Sequence, residues 1–312
     1  MATDSISSAN LADATSPALA ALPEGAKAWA PAPDWQAFYI AAKAQVSLLE
    51  RFSAFRSLHP ARFAGPSDGG LSYFASGSGP ALVLLPDADR PADCFWRLIE
   101  CLERRMRVIA IDYQAPASAD HLLDGLRAVL EAEQLSQAAV LGFGFGGLLA
   151  QSLADAQPRC VRALSLINAP SPMQRAAKAA QRRAKASGSM WNFDQRRRAK
   201  RAFQKGLTCP SEEAGFWRGY TRELFAQRWS RAKAGALLRV QAQLHEQAGP
   251  CPSNLRIPVL IIETEGIPLD QQQALRRTPA RFPLAERRSF APGAGRTIEI
   301  TRPRELAHWI VS

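Results

Sequence analysis

The residues best placed to do chemistry in this chain form Gly142-Phe143-Gly144-Phe145-Gly146-Gly147, a glycine turn. The apolar run 138–141 enters it, and Leu148, Leu149 and Leu153 leave it at helical spacing. An apolar run, clustered glycines and a helical pattern read as strand, sharp turn and helix. Two chemistries use such a turn. Gly142, Gly144 and Gly147 satisfy G-x-G-x-x-G, which seats a dinucleotide pyrophosphate on a helix N-terminus. Gly142 and Gly146 equally supply the outer glycines of G-x-S-x-G, the elbow that presents a serine nucleophile. On the second reading Gly144 stands at the serine's position: the turn is kept and the nucleophile is absent.

The surrounding elements decide between them. Residues 71–75 read as a short strand, and the apolar runs at 81–85, 107–112 and 161–167 as buried strands. Residues 94–104 and 119–133 read as amphipathic helices, the second turning Leu122, Leu123, Leu126, Val129 and Leu130 inward. Strands alternating with helices predict a parallel, doubly wound α/β sheet. The alternation stops at Ala169-Pro170-Ser171-Pro172, and no strand signal returns until 257–262. The intervening stretch carries Phe216, Trp217, Tyr220, Leu224, Phe225, Trp229, Leu237 and Leu244 in helical patterns. A last strand is expected at 286–290 and a last helix at 302–311. Upstream, Trp35, Phe38, Tyr39, Ala42, Val46, Leu49 and Phe52 predict a helix over 34–57 with Asp34 at its cap. That helix is read either as packed on the domain or as an arm for a partner.

The domain organisation that follows has four parts. Residues 1–32 are read as a disordered tail, 33–172 as the first part of an α/β core, 173–249 as an inserted helical cap, and 250–312 as the second part of the core. With 312 residues and 47% hydrophobic content the chain can bury such a core. No apolar run is long enough to cross a membrane, and the start lacks a signal peptide's basic and apolar regions. The five cysteines are scattered, with no C-x-x-C or zinc-ligand spacing, which implies a reduced, cytoplasmic setting and no metal.

The net charge of +11 is local: residues 171–206 carry ten of those charges. Their densest clusters are Arg182, Arg183 and Lys185, then Arg196, Arg197, Arg198, Lys200 and Arg201, with Trp191 and Phe193 between them. Such clusters attract acidic partners in a salt-dependent way. An acidic protein is the expected partner. Nucleic acid and an anionic membrane surface are the alternatives, the first weakened by the absence of a nucleic-acid motif.

The order of elements resembles the α/β-hydrolase superfamily with a helical cap. The resemblance runs from about Leu71 to Trp309. It includes Phe95-Trp96, Arg107-Val108-Ile109-Ala110, Asp120-His121-Leu122, Gly146-Gly147-Leu148-Leu149-Ala150-Gln151 and Ile257-Pro258-Val259. Within the superfamily the pattern is similar to that of maspardin-like proteins. The dinucleotide reading fits less well, because a fingerprint turn normally opens its domain. The strand after this one also ends at Ile167-Asn168-Ala169, with no carboxylate for a ribose.

The resemblance assigns three catalytic positions, and this chain departs from each. The nucleophile position is Gly144. Gly266-Ile267-Pro268 aligns with the family's "D-D-P" and puts Ile267 at the acid position, with Glu263, Glu265 and Asp270 nearby and Asn168 at the alternative acid position. Ala294-Gly295-Arg296 aligns with "A-G-H", so the base position is Arg296, which holds its proton and cannot accept one. The loop that often carries His-Gly beside the oxyanion hole reads Pro86-Asp87. Serine-type hydrolysis is therefore not expected.

What remains is a pocket bordered by Pro86, Asp87, Phe143, Gly144, Phe145 and Arg296. The phenyl rings either floor it or fill it, and Arg296 and Asp87 are expected to pair across it. No cofactor is implied. The expected role is a non-catalytic binding, adaptor or regulatory protein acting through the basic cap, the N-terminal helix or the vacant pocket. This agrees with what maspardin-like proteins imply, a hydrolase fold serving protein interaction. The rival is an esterase-like hydrolase with a rearranged site, for which Cys94 or Asp87 would be the reacting group.

Overall fold

The computed structural model describes residues 32, 34–66, 70–188, 194–247, 256–265, 267 and 275–312. Of the expected tail at 1–32, residues 1–31 lie outside the described residues, as do Trp191, Phe193, Gly266, Pro268 and Asp270.

Among the described residues, eight strands form one sheet. They are β1 (Arg62–Ala64), β2 (Leu71–Ser76), β3 (Ala81–Leu85), β4 (Arg107–Asp112), β5 (Ala138–Phe143), β6 (Val161–Ile167), β7 (Val259–Glu263) and β8 (Glu286–Ser289). Their order is β1-β2-β4-β3-β5-β6-β7-β8. From β4 to β8 all pairings are parallel, while β1–β2 and β2–β4 are antiparallel. The expected α/β sheet is present, with a two-strand antiparallel margin of which β1 had no sequence signal. The crossovers put core on both faces. Along β3, Leu82 and Leu84 join one apolar cluster while Val83 and Leu85 join the other; β4 divides Val108 and Ala110 from Ile109 and Ile111 in the same way.

The helices are α1 (Ala37–Ile40), α2 (Val46–Leu58), α3 (Trp96–Leu102), α4 (Ala119–Ala132), α5 (Phe145–Ala156), α6 (Gln174–Gly188), α7 (Gln195–Gly206), α8 (Ala214–Glu223), α9 (Arg231–Gln247), α10 (Thr278–Arg281), α11 (Ile298–Thr301) and α12 (Pro303–Val311). Helices α6 to α9 lie between β6 and β7, where the strand signal disappears from the sequence. No helix among the described residues is long and apolar enough to cross a membrane.

Three expected elements change shape. The single helix over 34–57 is two: Lys43 sits at φ +56° and Gln45 is extended, so the chain turns and starts again at Val46. Asp34 caps neither helix, and Val46 is exposed while Leu48, Phe52 and Phe55 turn inward. The helix over 94–104 begins as a 3-10 turn, Ala92–Phe95, and becomes α-helical only at Trp96. The strand over 257–262 starts at Val259, since Pro258 has no N–H to give a ladder.

The N-terminal helices are packed on the domain. Tyr39 and Phe52 lie against Phe216 of α8, with ring centroids 5.1 and 5.2 Å apart. Beneath them is a buried ionic network. Arg56 of α2 donates to Asp93 (2.7 Å) and Glu223 (2.9 Å), and Arg228 donates to both oxygens of Asp93 (2.9 and 3.1 Å). Tyr220 Oη donates to Asp93 and Tyr39 Oη to Glu223, each at 2.7 Å. Two guanidiniums and two carboxylates balance there, tying α2, the loop after β3 and the β6–β7 helices into one body.

Candidate functional site

The glycine turn is where the strand–turn–helix pattern placed it. β5 ends at Phe143, α5 begins at Phe145, and Gly144 between them adopts φ +50°, ψ −111°. An L side chain rarely accepts that backbone, and the positions that do are enriched at functional sites. Gly147 lets α5 come down on the sheet, because a Cβ there would collide with the methyl group of Ala169.

The neighbouring strand completes the site. β3 runs parallel to β5 with Leu85 opposite Gly142, so the loop after β3 rises beside the turn. From that loop the Asp87 carboxylate reaches over Gly144. Its Oδ1 accepts from Phe145 N (3.0 Å) and from Ala88 N (2.8 Å). In a hydrolase elbow the oxyanion hole takes one N–H from the residue after the nucleophile and one from the loop after β3. Both N–H groups are present here, and a resident anion accepts both. A Cβ added to Gly144 would fall 2.5 to 2.7 Å from the three carboxylate atoms of Asp87. The carboxylate therefore fills the space in which a nucleophile's side chain would stand.

The other positions that the resemblance assigned to catalysis are placed by their contacts. Asn168, at the end of β6, donates through its side chain to Thr264 Oγ1 (2.9 Å) and accepts from Thr264 N (3.0 Å), pinning the loop after β7. Glu265 accepts from Gly293 N and Glu263 pairs with Arg287, so neither is aimed at the turn. Ile267 and Arg296 both line the cavity above Gly144. The expected Arg296–Asp87 pair does not form: Arg296 makes no ion pair among the described residues, and its Nη1 reaches toward Gly206 at the end of α7.

A cavity of about 580 Å³ lies over the turn, between the sheet's C-terminal edge and helices α6 and α9. The phenyl groups border it without filling it. Phe143 packs against Phe95 (centroids 4.7 Å apart) and Phe145 against Tyr113 (5.3 Å). Pro86, expected at the pocket, does not line the cavity; it is buried behind the turn, where its carbonyl accepts from Tyr113 Oη (3.1 Å). Cys94 is buried and burial pushes its thiol far up, so no thiolate is available.

Several lining residues were not expected at the pocket. Arg90 and Glu299 form an ion pair beside the turn. His245, on α9, accepts from Met173 N (3.3 Å) through Nδ1, which leaves the proton on Nε2. Burial lowers its pKa to about 4, so the ring is neutral near pH 7. Arg175 and Arg183 of α6 stand at the cavity's rim. In the sequence Arg175 and Arg183 read as part of one basic segment and His245 as a scattered histidine; only the fold brings them to one cavity, His245 buried and the two arginines at its exposed rim.

The basic clusters fall on two helices. Arg182, Arg183 and Lys185 are exposed on α6. Arg196, Arg197, Arg198 and Arg201 are exposed on α7, with Lys200 half-buried. Arg196 also donates to the carbonyl of Phe225.

No family model matches the chain. Among curated proteins, a 112-residue segment is 34% identical to polyketide synthase ThaQ of Burkholderia thailandensis, covering 33% of this chain and 5% of that protein. Human maspardin is 39% identical over 89 residues, 28% of each protein. The chain thus spans only a fraction of either relative's length. Among solved structures, esterase RhEst1 of Rhodococcus superposes with a TM-score of 0.62 over 80% of this chain and 96% of its own, at 24% identity. That likeness carries the fold: the chain has the α/β-hydrolase fold.

Proposed function

We propose that this chain is a non-catalytic binding protein built on an α/β-hydrolase fold. The observation that carries this reading is the Asp87 carboxylate seated on the N–H groups of Phe145 and Ala88. A hydrolase reserves those donors for charge that develops in the transition state. Here they are spent on a permanent charge, and an oxyanion brought to the same place would meet a carboxylate at contact distance. Gly144 provides no nucleophile and Arg296 no base. The same carboxylate at the start of α5 argues against a dinucleotide, whose pyrophosphate would need that helix end.

The interaction surface proposed for this role is the exposed basic face of α6 and α7, and the partner an acidic protein. The packed N-terminal helices support the cap more than they offer an arm. A surface coated with polyglutamate tests this: retention is expected to fall with added salt and with Arg197→Gln, Arg198→Gln and Arg201→Gln combined. Preference for duplex DNA or for phosphatidylserine vesicles at equal salt would reassign the partner. A fluorophosphonate probe tests the loss of catalysis; a labelled residue lining the cavity would overturn it.

The rival, a hydrolase with a rearranged site, draws on the retained cavity and on Asp87 at the nucleophile's place. Its histidine candidate for a base, His245, has its Nδ1 engaged and its Nε2 protonated.

A further inference from the structure

The cavity's lining carries four guanidiniums, Arg90, Arg175, Arg183 and Arg296, against two carboxylates, Asp87 and Glu299. Asp87 accepts from two backbone N–H groups through Oδ1, and Glu299 is held by Arg90 through one oxygen, its Oε2 having no hydrogen bond among the described residues. Among the described residues Arg175 and Arg296 make no hydrogen bond or ion pair, and the Nε2–H of buried His245 has no acceptor. Donors facing a cavity with no acceptor of their own are matched by a ligand that supplies acceptors. Between them runs an apolar strip: Ala176, Ala179 and Ala180 along α6, faced by Leu275. Two guanidiniums, a neutral N–H donor and an apolar wall describe a site for a ligand with an anionic end and a hydrocarbon body.

We infer that the cavity binds an amphipathic anion, an aliphatic chain ending in a carboxylate or phosphate, without turning it over. This rests on the non-catalytic reading of the same site. Arginine on two separate elements, α6 and the loop before α11, suits a head group that accepts from two directions. Asp87 keeps that head group off the turn, which places it toward Arg175, Arg296 and His245. The Asp87 charge that disables the oxyanion hole thus also orients the ligand.

Isothermal titration of the full chain with decanoate, decyl phosphate and decanol tests this. At least one of the two anions is expected to bind more tightly than decanol, and which one identifies the head group. Arg175→Gln with Arg296→Gln is expected to weaken the anion about tenfold or more and leave decanol unchanged. Arg175→Gln alone, at an exposed rim position, should give a partial loss without unfolding. Equal binding of decanol and both anions, no binding of any, or anion binding indifferent to both variants would overturn the inference. Hydrolysis of p-nitrophenyl decanoate by the same preparation separates the two claims. Turnover would defeat the non-catalytic reading, whereas no turnover and no binding would defeat only the ligand.

Discussion

Asp87 and Gly144 occupy one another's space: the carboxylate lies 2.5 Å, at its nearest, from the point where a Cβ on residue 144 would stand. A side chain at 144 and the present position of Asp87 exclude each other. Gly144→Ala is expected to destabilise the protein by about 1–3 kcal/mol from its backbone dihedrals alone, plus the cost of displacing Asp87. In the double variant with Asp87→Ala the displacement cost vanishes, so the pair is less destabilised than the sum of the singles, by about 1 kcal/mol. Urea denaturation of the four proteins measures the coupling. Additive singles would mean that the carboxylate does not occupy the space above Gly144.

The network around Asp93 holds the N-terminal helices to the body. Arg56→Met leaves Asp93 and Glu223 buried with one guanidinium fewer, and a loss of about 3–5 kcal/mol is expected. Arg56→Lys should restore little, because a lysine cannot reach both carboxylates with a fork. Limited proteolysis of the Arg56→Met protein should cut first near the junction at residues 43–45. The Arg228 and Arg56 guanidiniums outweigh burial and hold Asp93 at about 2, below the ordinary 3.8. A depressed carboxylate adds stability that is full above 3.8 and is lost as the pH falls toward about 2. Asp93→Asn should remove that acid-side slope.

His245 gives a second pH window. Burial takes it from 6.5 down to about 4. Between those values the unfolded chain binds a proton that the folded chain refuses, so stability falls as the pH drops from 6.5 to about 4. In His245→Asn, whose side-chain oxygen can still accept from Met173 N, thermal stability should vary less across that window. An unchanged slope would mean that the ring is charged or solvated in the folded state.

Cys94 separates the reading from its rival. Buried, with its thiol pushed up, it should resist maleimide in the folded protein and react only after denaturation. Rapid labelling at neutral pH would restore a nucleophile beside the site.

The glycine turn, the parallel order and the long apolar strands were legible because they rest on local patterns: continuous apolar runs, glycine spacing and 3.6-residue periodicity. The positions Gly144, Ile267 and Arg296 were legible as residue identities, and all three line the cavity. What escaped depends on contacts between distant segments. Nothing local marks Asp93 as the partner of Arg56, 37 positions away, and of Arg228, 135 positions away. Asp87 was visible as a loop residue, but its bond to Phe145 requires β3 and β5 to lie side by side. The expected Arg296–Asp87 pair failed for a related reason: where the Arg296 side chain points, toward Gly206 at the end of α7, is set by the fold and not by local sequence.

The central claim is that the oxyanion hole is filled by the chain itself and that the site performs no acyl transfer. The most direct measurement is p-nitrophenyl butyrate hydrolysis by wild type and Asp87→Asn beside a buffer blank. Both proteins are expected to match the blank, since neither nucleophile nor base is supplied. Wild-type turnover above the blank that disappears in Asp87→Asn would make Asp87 a working catalytic group and contradict that claim.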